Sequence, residues 1–271
     1  MSNSVLFLYF IIYSVIGWIS EVVYCSLIEK KFVNRRFLRG PLCPIYGFGG
    51  LLVVFALEPF AGNPVALFFA AAALTTALEY ATGWALESIF NTKWWDYSRW
   101  RFNLHGRICL VNSLMFGVMG FLGVYYLHPL IERVVALVPP PAARIAAAVL
   151  FGAVSLDFFL TLRDLVNFAD RLAMLGEYME GVRESLSSRD WFDELDLKKS
   201  LELMKERVLQ DRSELNVRLA ERLEFLVQRS KDMRRLMRAF PGMRSRRHNA
   251  QLDLFKKLHR IGERIRRRDE A

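Results

Sequence analysis

VLFLYFIIYSVIGWISEVVYCSL, Val5 to Leu27, runs for 23 residues with Glu21 as its only charged side chain. A helix advances about 1.5 Å per residue, so ~20 apolar residues cross a hydrocarbon layer of roughly 30 Å. This stretch is long enough to span a membrane, and that decides the fold class. Four further stretches read the same way: Tyr46 to Leu57 with its flanks, Val65 to Phe90, Ile108 to Leu127 and Arg144 to Val166. The expected architecture is all-α, a polytopic membrane bundle of about five transmembrane helices. The second stretch, GFGGLLVVFAL, is short for a span and rich in glycine, so a full span and a tilted or partly re-entrant helix both stay open. MSNSV carries no positive charge and no small-residue cleavage site follows, so the first stretch reads as a span and not as a signal peptide.

The chain is 53% hydrophobic yet has a net charge of +9. The two properties occupy different regions. Of the 37 Lys and Arg, 25 fall between Asp170 and Ala271. Three segments follow: a transmembrane domain over 1–168, an amphipathic helix or coiled coil over 169–240, and a basic amphipathic helix over 241–271. Lys and Arg in short loops resist translocation. The first connection holds Lys30, Lys31, Arg35, Arg36 and Arg39 and the third holds Lys93, Arg99, Arg101 and Arg107, against only Arg133 and Arg144 in the fourth. The N-terminus is therefore expected outside and the tail in the cytoplasm. On that topology Cys25, Cys43 and Cys109 lie near a reducing compartment, and no C-x-x-C pair points to a metal. No metal and no cofactor is implied.

In the tail, Leu197, Leu201, Met204, Val208 and Leu215 keep helical spacing, and Pro241-Gly242 should stop the helix. Beyond it Leu254, Leu258, Ile261 and Ile265 line one face of a basic segment. Self-association through the tail and contact with anionic membrane lipids are the expected partners. Phe255 is the only aromatic after Phe240, so the stacking platform of a nucleic-acid binder is missing.

Ionisable residues at bilayer depth cost at least about 2.5 kcal/mol each, so they face a bundle interior and find partners. Here they are Glu21, Glu79, Glu87, Asp157, Arg163 and Asp164. Glu79 and Glu87 lie eight residues apart, roughly 80° around a helix, and are expected to line one cavity at two depths. NRRFLRGPLCPIYGFGG brings Arg35, Arg36 and Arg39 to the same level, and WWDYSRWRFNLHGRICL brings Asp96, Tyr97, Asn103 and Arg107. Gly40-Pro41 and Pro44 interrupt helix formation, so the first loop should enter the membrane edge as ordered, non-helical chain. The candidate site is a polar vestibule made of Glu21, Asn34, Arg35, Arg39, Glu79, Glu87, Asp96, Tyr97, Asn103 and Arg107. Its loops hold more bases than the nearby acids neutralise, which favours an anionic or zwitterionic ligand. The alternative is that these ions simply pair with one another and lock the loops.

The segments GWISEVVY, FVNRRFLRGPLCPIYGFGG, LEYATGWALESIFNTKWWDYS and FNLHGRICLVNSLMFG together resemble the bacterial ABC-transporter type IV, or CmpB-like permease, family over about residues 8 to 125. Arg36 stands where that pattern has glycine. The resemblance implies a plasma-membrane protein acting as a permease beside a separate ATPase. No G-x-x-x-x-G-K-[ST] phosphate loop occurs, so this chain has no ATPase motif of its own. Two other readings stay open. One is an intramembrane enzyme or binding protein for a lipid or isoprenoid phosphate, with the arginines on the phosphate and Glu87, Asp96 or His105 moving a proton. The other is a membrane-anchored scaffold or sensor.

Overall fold

A computed structural model of the chain describes residues 1–187 and 231–246, with 249, 252, 253 and 256. Its helices are α1 (Asn3–Glu29), α2 (Pro44–Ala56), α3 (Pro64–Phe90), α4 (Leu110–Leu122), α5 (His128–Ala136), α6 (Pro140–Ser187) and α7 (Lys231–Ala239). A π-turn over Gly123–Leu127 joins α4 to α5, so Leu110–Ala136 is one continuous apolar helix. Among the described residues, four helices are long and apolar enough to cross a membrane: Asn3–Glu29, Pro64–Phe90, Leu110–Ala136 and Pro140–Phe168. The protein is a multi-pass membrane protein. Of the amphipathic helix or coiled coil expected over 169–240, residues 188–230 lie outside the described residues, as does most of the basic helix expected over 241–271.

Local signals set the helix ends. The Asn63 side chain accepts from the Val65 and Ala66 amides at 3.1 Å each and Pro64 opens α3, a strong start. At the other end Asn91 adopts a left-handed conformation, which asparagine tolerates well, and α3 stops there.

The second crossing differs from the expected helical span. Helix α2 has 13 residues, ~20 Å of rise, which is too short for a hydrocarbon layer of ~30 Å. The Cys43 amide donates to the Ser14 carbonyl at 3.0 Å, and Ser14 lies in the middle of α1. By helical rise that point is ~16 Å from one end of α1 and ~22 Å from the other. The chain therefore returns from the C-terminal end of α1 as irregular backbone, reaches mid-bundle at Cys43, and finishes the passage as α2. Asp157 of α6 satisfies that backbone, accepting from the Arg39 amide at 2.9 Å and the Gly40 amide at 2.7 Å. Irregular chain at such depth requires partners of this kind within the protein.

Glycines bring α1 and α2 into backbone contact. A Cβ on Gly17 would lie 2.2 Å from Tyr46 Cβ, and one on Gly47 2.3 Å from Ser14 Oγ. Toward the N-terminal end of α1, Tyr9, Tyr13, Val54, Ile131 and Val135 form a buried apolar cluster. Val53, Leu57, Leu67 and Ala71 form a second one between α2 and α3.

Among the described residues, four two-residue strands decorate the opposite end. Strands β2 (Asn103–Leu104) and β3 (Ile108–Cys109) pair antiparallel around His105 and Gly106, whose φ angles of 54° and 69° are those a type I′ turn demands. Strand β1 (Thr92–Lys93) pairs with β4 (Arg244–Ser245). Residues Leu236–Arg246 thus fold together with Met1–Leu165 as one compact unit. Pro241 and Gly242 make the turn after α7, as their sequence suggests.

Candidate functional site

Glu21 occupies the C-terminal third of α1 and is held from two sides. Tyr46 on α2 donates its hydroxyl at 2.6 Å, and Arg35 of the first loop approaches at 3.2 Å. Arg35 also donates to the Cys25 thiol at 3.2 Å and lies 5.5 Å from the centroid of the Phe240 ring. Burial alone would ease a proton off this guanidinium, but Glu21 and its neighbours more than reverse that and fix it as a cation. Asn34 accepts from the Trp18 indole at 3.0 Å, which ties the loop to α1.

The third connection supplies the facing wall. The Tyr97 amide donates to the Gly106 carbonyl at 2.8 Å and the Trp95 indole to the Arg107 carbonyl at 2.8 Å, so the hairpin fixes both aromatic rings. Asp96 accepts from the Ser98 amide at 3.0 Å and from its hydroxyl, and meets Arg244 at 3.2 Å. Burial pushes the Asp96 carboxyl up, but the Ser98 bonds, then Arg244 and Lys93, hold it below the usual carboxylate value. Asn103 donates to the Trp100 carbonyl at 2.8 Å and accepts from the Gly106 amide at 3.1 Å, a structural role within the loop.

These groups enclose a cavity of about 520 Å³ whose wall includes Glu21, Tyr24, Arg35, Tyr46, Trp95, Asp96, Tyr97, Trp100, Asn112 and Phe240. A second cavity of about 120 Å³ lies deeper, among Tyr13, Gly49, Gly50, Leu78, Glu79 and Gly120. Ser20, Tyr46, Phe116 and Met119 line both. The outer chamber is polar and aromatic and the inner one is apolar, with the carboxyl of Glu79 as its charged-type group. Tyr97 links the two, because its hydroxyl donates to Glu79 Oε1 at 3.3 Å while accepting from Asn112. Burial, and then the Glu79 carboxylate, push the Tyr97 phenol well above its usual value and keep it a donor.

Of the ten sequence candidates, Glu21, Arg35, Asp96 and Tyr97 line the outer chamber and Glu79 the inner one. Arg39 does not join them. Its guanidinium makes a forked pair with Asp164 of α6 at 2.7 to 3.0 Å, and its loop is held by Asp157. Glu87 does not line the inner cavity beside Glu79. It pairs with Arg107, whose Nε and a terminal nitrogen both reach Oε2, at 2.8 and 2.7 Å, and with Arg246 at 3.5 Å. Among the described residues the charged groups of the outer wall are Glu21, Glu29, Arg35 and Asp96, without the expected surplus of bases.

Sequence reading missed Tyr46, Tyr24, Asn112 and the tail residues Phe240, Arg244 and Arg246. Tyr46 had a legible signal, a lone phenol in a glycine-rich apolar segment. The tail contacts had none, since about 150 residues separate Asp96 from Arg244.

The chain belongs to the family described as Putative ABC-transporter type IV, whose model matches residues 8–162. No curated protein and no solved structure matches it.

Proposed function

We propose that this family member is the membrane-spanning part of a transporter, and that its vestibule receives a zwitterionic amphipathic molecule. The observation that carries the reading is the junction of a polar, aromatic chamber of about 520 Å³ with an apolar one of about 120 Å³ through shared walls. The headgroup sits in the outer chamber. There the rings of Trp95, Trp100 and Tyr24 with the carboxylates of Glu21 and Asp96 suit its cationic end. Arg35 suits its anionic end. An apolar chain points inward past Ser20 and Phe116.

The distribution of Lys and Arg between connections supports a vestibule on the cytoplasmic face of a bacterial plasma membrane. With no phosphate loop in this chain, energy from ATP would come from a separate subunit.

The test is purification from native membranes in mild detergent, followed by mass spectrometry of retained lipids and co-purifying proteins. A zwitterionic amphiphile retained in stoichiometric amount, and lost when Ser20→Phe plugs the junction, is the expected result. A chain that retains no amphiphile under conditions where it stays folded overturns the reading. Recovery of a stoichiometric ATPase supports the transporter assignment, and its absence from every mild preparation counts against ATP coupling.

A further inference from the structure

Glu79 sits in the middle of span α3 with 6% of its surface exposed, in the wall of the inner cavity. Its two oxygens have different surroundings. Oε1 accepts from the Tyr97 hydroxyl, and Tyr97 in turn accepts from Asn112, so the tyrosine proton is committed toward Glu79. Oε2 is buried with no hydrogen-bond partner among the described residues. A buried carboxylate with one oxygen unserved costs far more than the neutral acid in the same place. Because Oε1 is already an acceptor, the proton of the neutral acid belongs on Oε2. Glu79 lines the inner cavity, where the hydroxyl-bearing side chains of Tyr13, Ser20, Tyr46 and Thr75 also stand, and the cavity has room for several waters.

We propose that Glu79 is a proton-binding site that loads and releases its proton through the inner cavity, so that the work of the vestibule is linked to proton movement. In the step itself the O–H bond at Oε2 breaks, the proton passes to a water in the cavity, which becomes hydronium and hands it on, and the carboxylate remains on α3. The groups that face it are Tyr97 and Arg35 from the loops, Glu21 from α1, Tyr46 from α2 and the uncharged Asn112 from α4. Across the same cavity stands Tyr13, whose hydroxyl meets His128 Nδ1 at 2.8 Å. Titratable groups therefore stand at both ends of the cavity. The chain Tyr97, Glu79, cavity, Tyr13, His128 leads from the vestibule toward the opposite end of the bundle.

The proton site rests on the transporter reading only for what the proton would drive, and its test needs no ligand. The full chain in lipid nanodiscs is followed by infrared difference spectroscopy across pH and by labelling with dicyclohexylcarbodiimide, which attacks protonated carboxyls in apolar surroundings. The expected result is a protonated-carboxyl band that is lost as pH rises and is absent in Glu79→Gln. Carbodiimide should map to Glu79 and fade over the same range. Tyr97→Phe should move the midpoint to higher pH, because the carboxylate loses a donor. Glu79→Asp retains a carboxyl and should retain a titrating band, which covers the case in which Glu79→Gln does not fold. A band that never changes with pH, or a Glu79 unlabelled at every pH, overturns the proposal. A chain that retains its amphiphile while Glu79 fails to titrate overturns the proton site and leaves the vestibule standing.

Discussion

Replacing Gly17 with alanine tests the packing on which both cavities depend. The new Cβ would lie 2.2 Å from both Cβ and Cγ of Tyr46, about 1.2 Å short of the 3.4 Å at which ordinary contact begins. Tyr46 Cβ is fixed to the backbone of α2, so no side-chain rotation relieves the clash and the two helices must part. Overpacking of this kind costs ~1–3 kcal/mol, with rigid sites at the upper end. The displacement also stretches the 2.6 Å bond from Tyr46 to Glu21. A hydrogen bond to a charged group is worth ~1.5–3 kcal/mol, so the loss should reach roughly 3 kcal/mol. Since 1 kcal/mol moves Tm by ~2–4 °C in a chain of this size, the melting temperature in detergent should fall by roughly 6–12 °C. Gly152→Ala is the control, because a Cβ there meets nothing within 4 Å and alanine is the better helix former. If the two variants melt together with the parent chain, the close approach of α1 and α2 is wrong.

Removal of Asp164 should free the first loop: Asp164→Ala deletes the forked pair with Arg39, and proteolysis within residues 30–43 should accelerate while Asp164→Glu retains protection in part. At the hairpin, Arg107→Lys keeps the charge but cannot reach both Glu87 and the Tyr80 hydroxyl, so thermal stability should drop by ~1–2 kcal/mol, read in the same melting assay. Asp96 has a folded-state pKa below its ordinary 3.8, so its contribution is present above that value and lost as pH falls through the folded pKa. The gap in melting temperature between parent and Asp96→Asn should therefore be constant near neutral pH and close on acidification. A gap that widens in acid would contradict the Ser98 and Arg244 contacts.

The long spans were legible because an uninterrupted apolar run has one stable solution in lipid. The first loop was legible as ordered non-helical chain from Gly40, Pro41 and Pro44, since those residues forbid a helix. What they could not show was its depth, which depends on Asp157, more than a hundred residues away. The same holds for the charges. Composition showed arginines and carboxylates at one level, but whether Arg39 turns to the vestibule or to Asp164 is a matter of helix rotation, which no local pattern records. Glu79 stood out as an acid within a span, and its pairing with Tyr97 needed the hairpin in place. The return of Leu236–Arg246 onto that hairpin was hidden because its arginines look like the rest of a basic tail.

Photocrosslinking tests the central claim most directly, that the outer and inner chambers form one amphipathic site. A zwitterionic phospholipid with a photoreactive group on its acyl chain is incorporated with the protein in nanodiscs, irradiated, and its adducts are mapped by peptide mass spectrometry. The account predicts adducts at Phe116, Met119 and the Gly49-Gly50 segment, lost in Ser20→Phe, because these residues surround the apolar chamber. Adducts confined to exposed side chains of α6 such as Val149 and Phe159, unchanged by Ser20→Phe, would mean that lipid only surrounds the bundle and would contradict it.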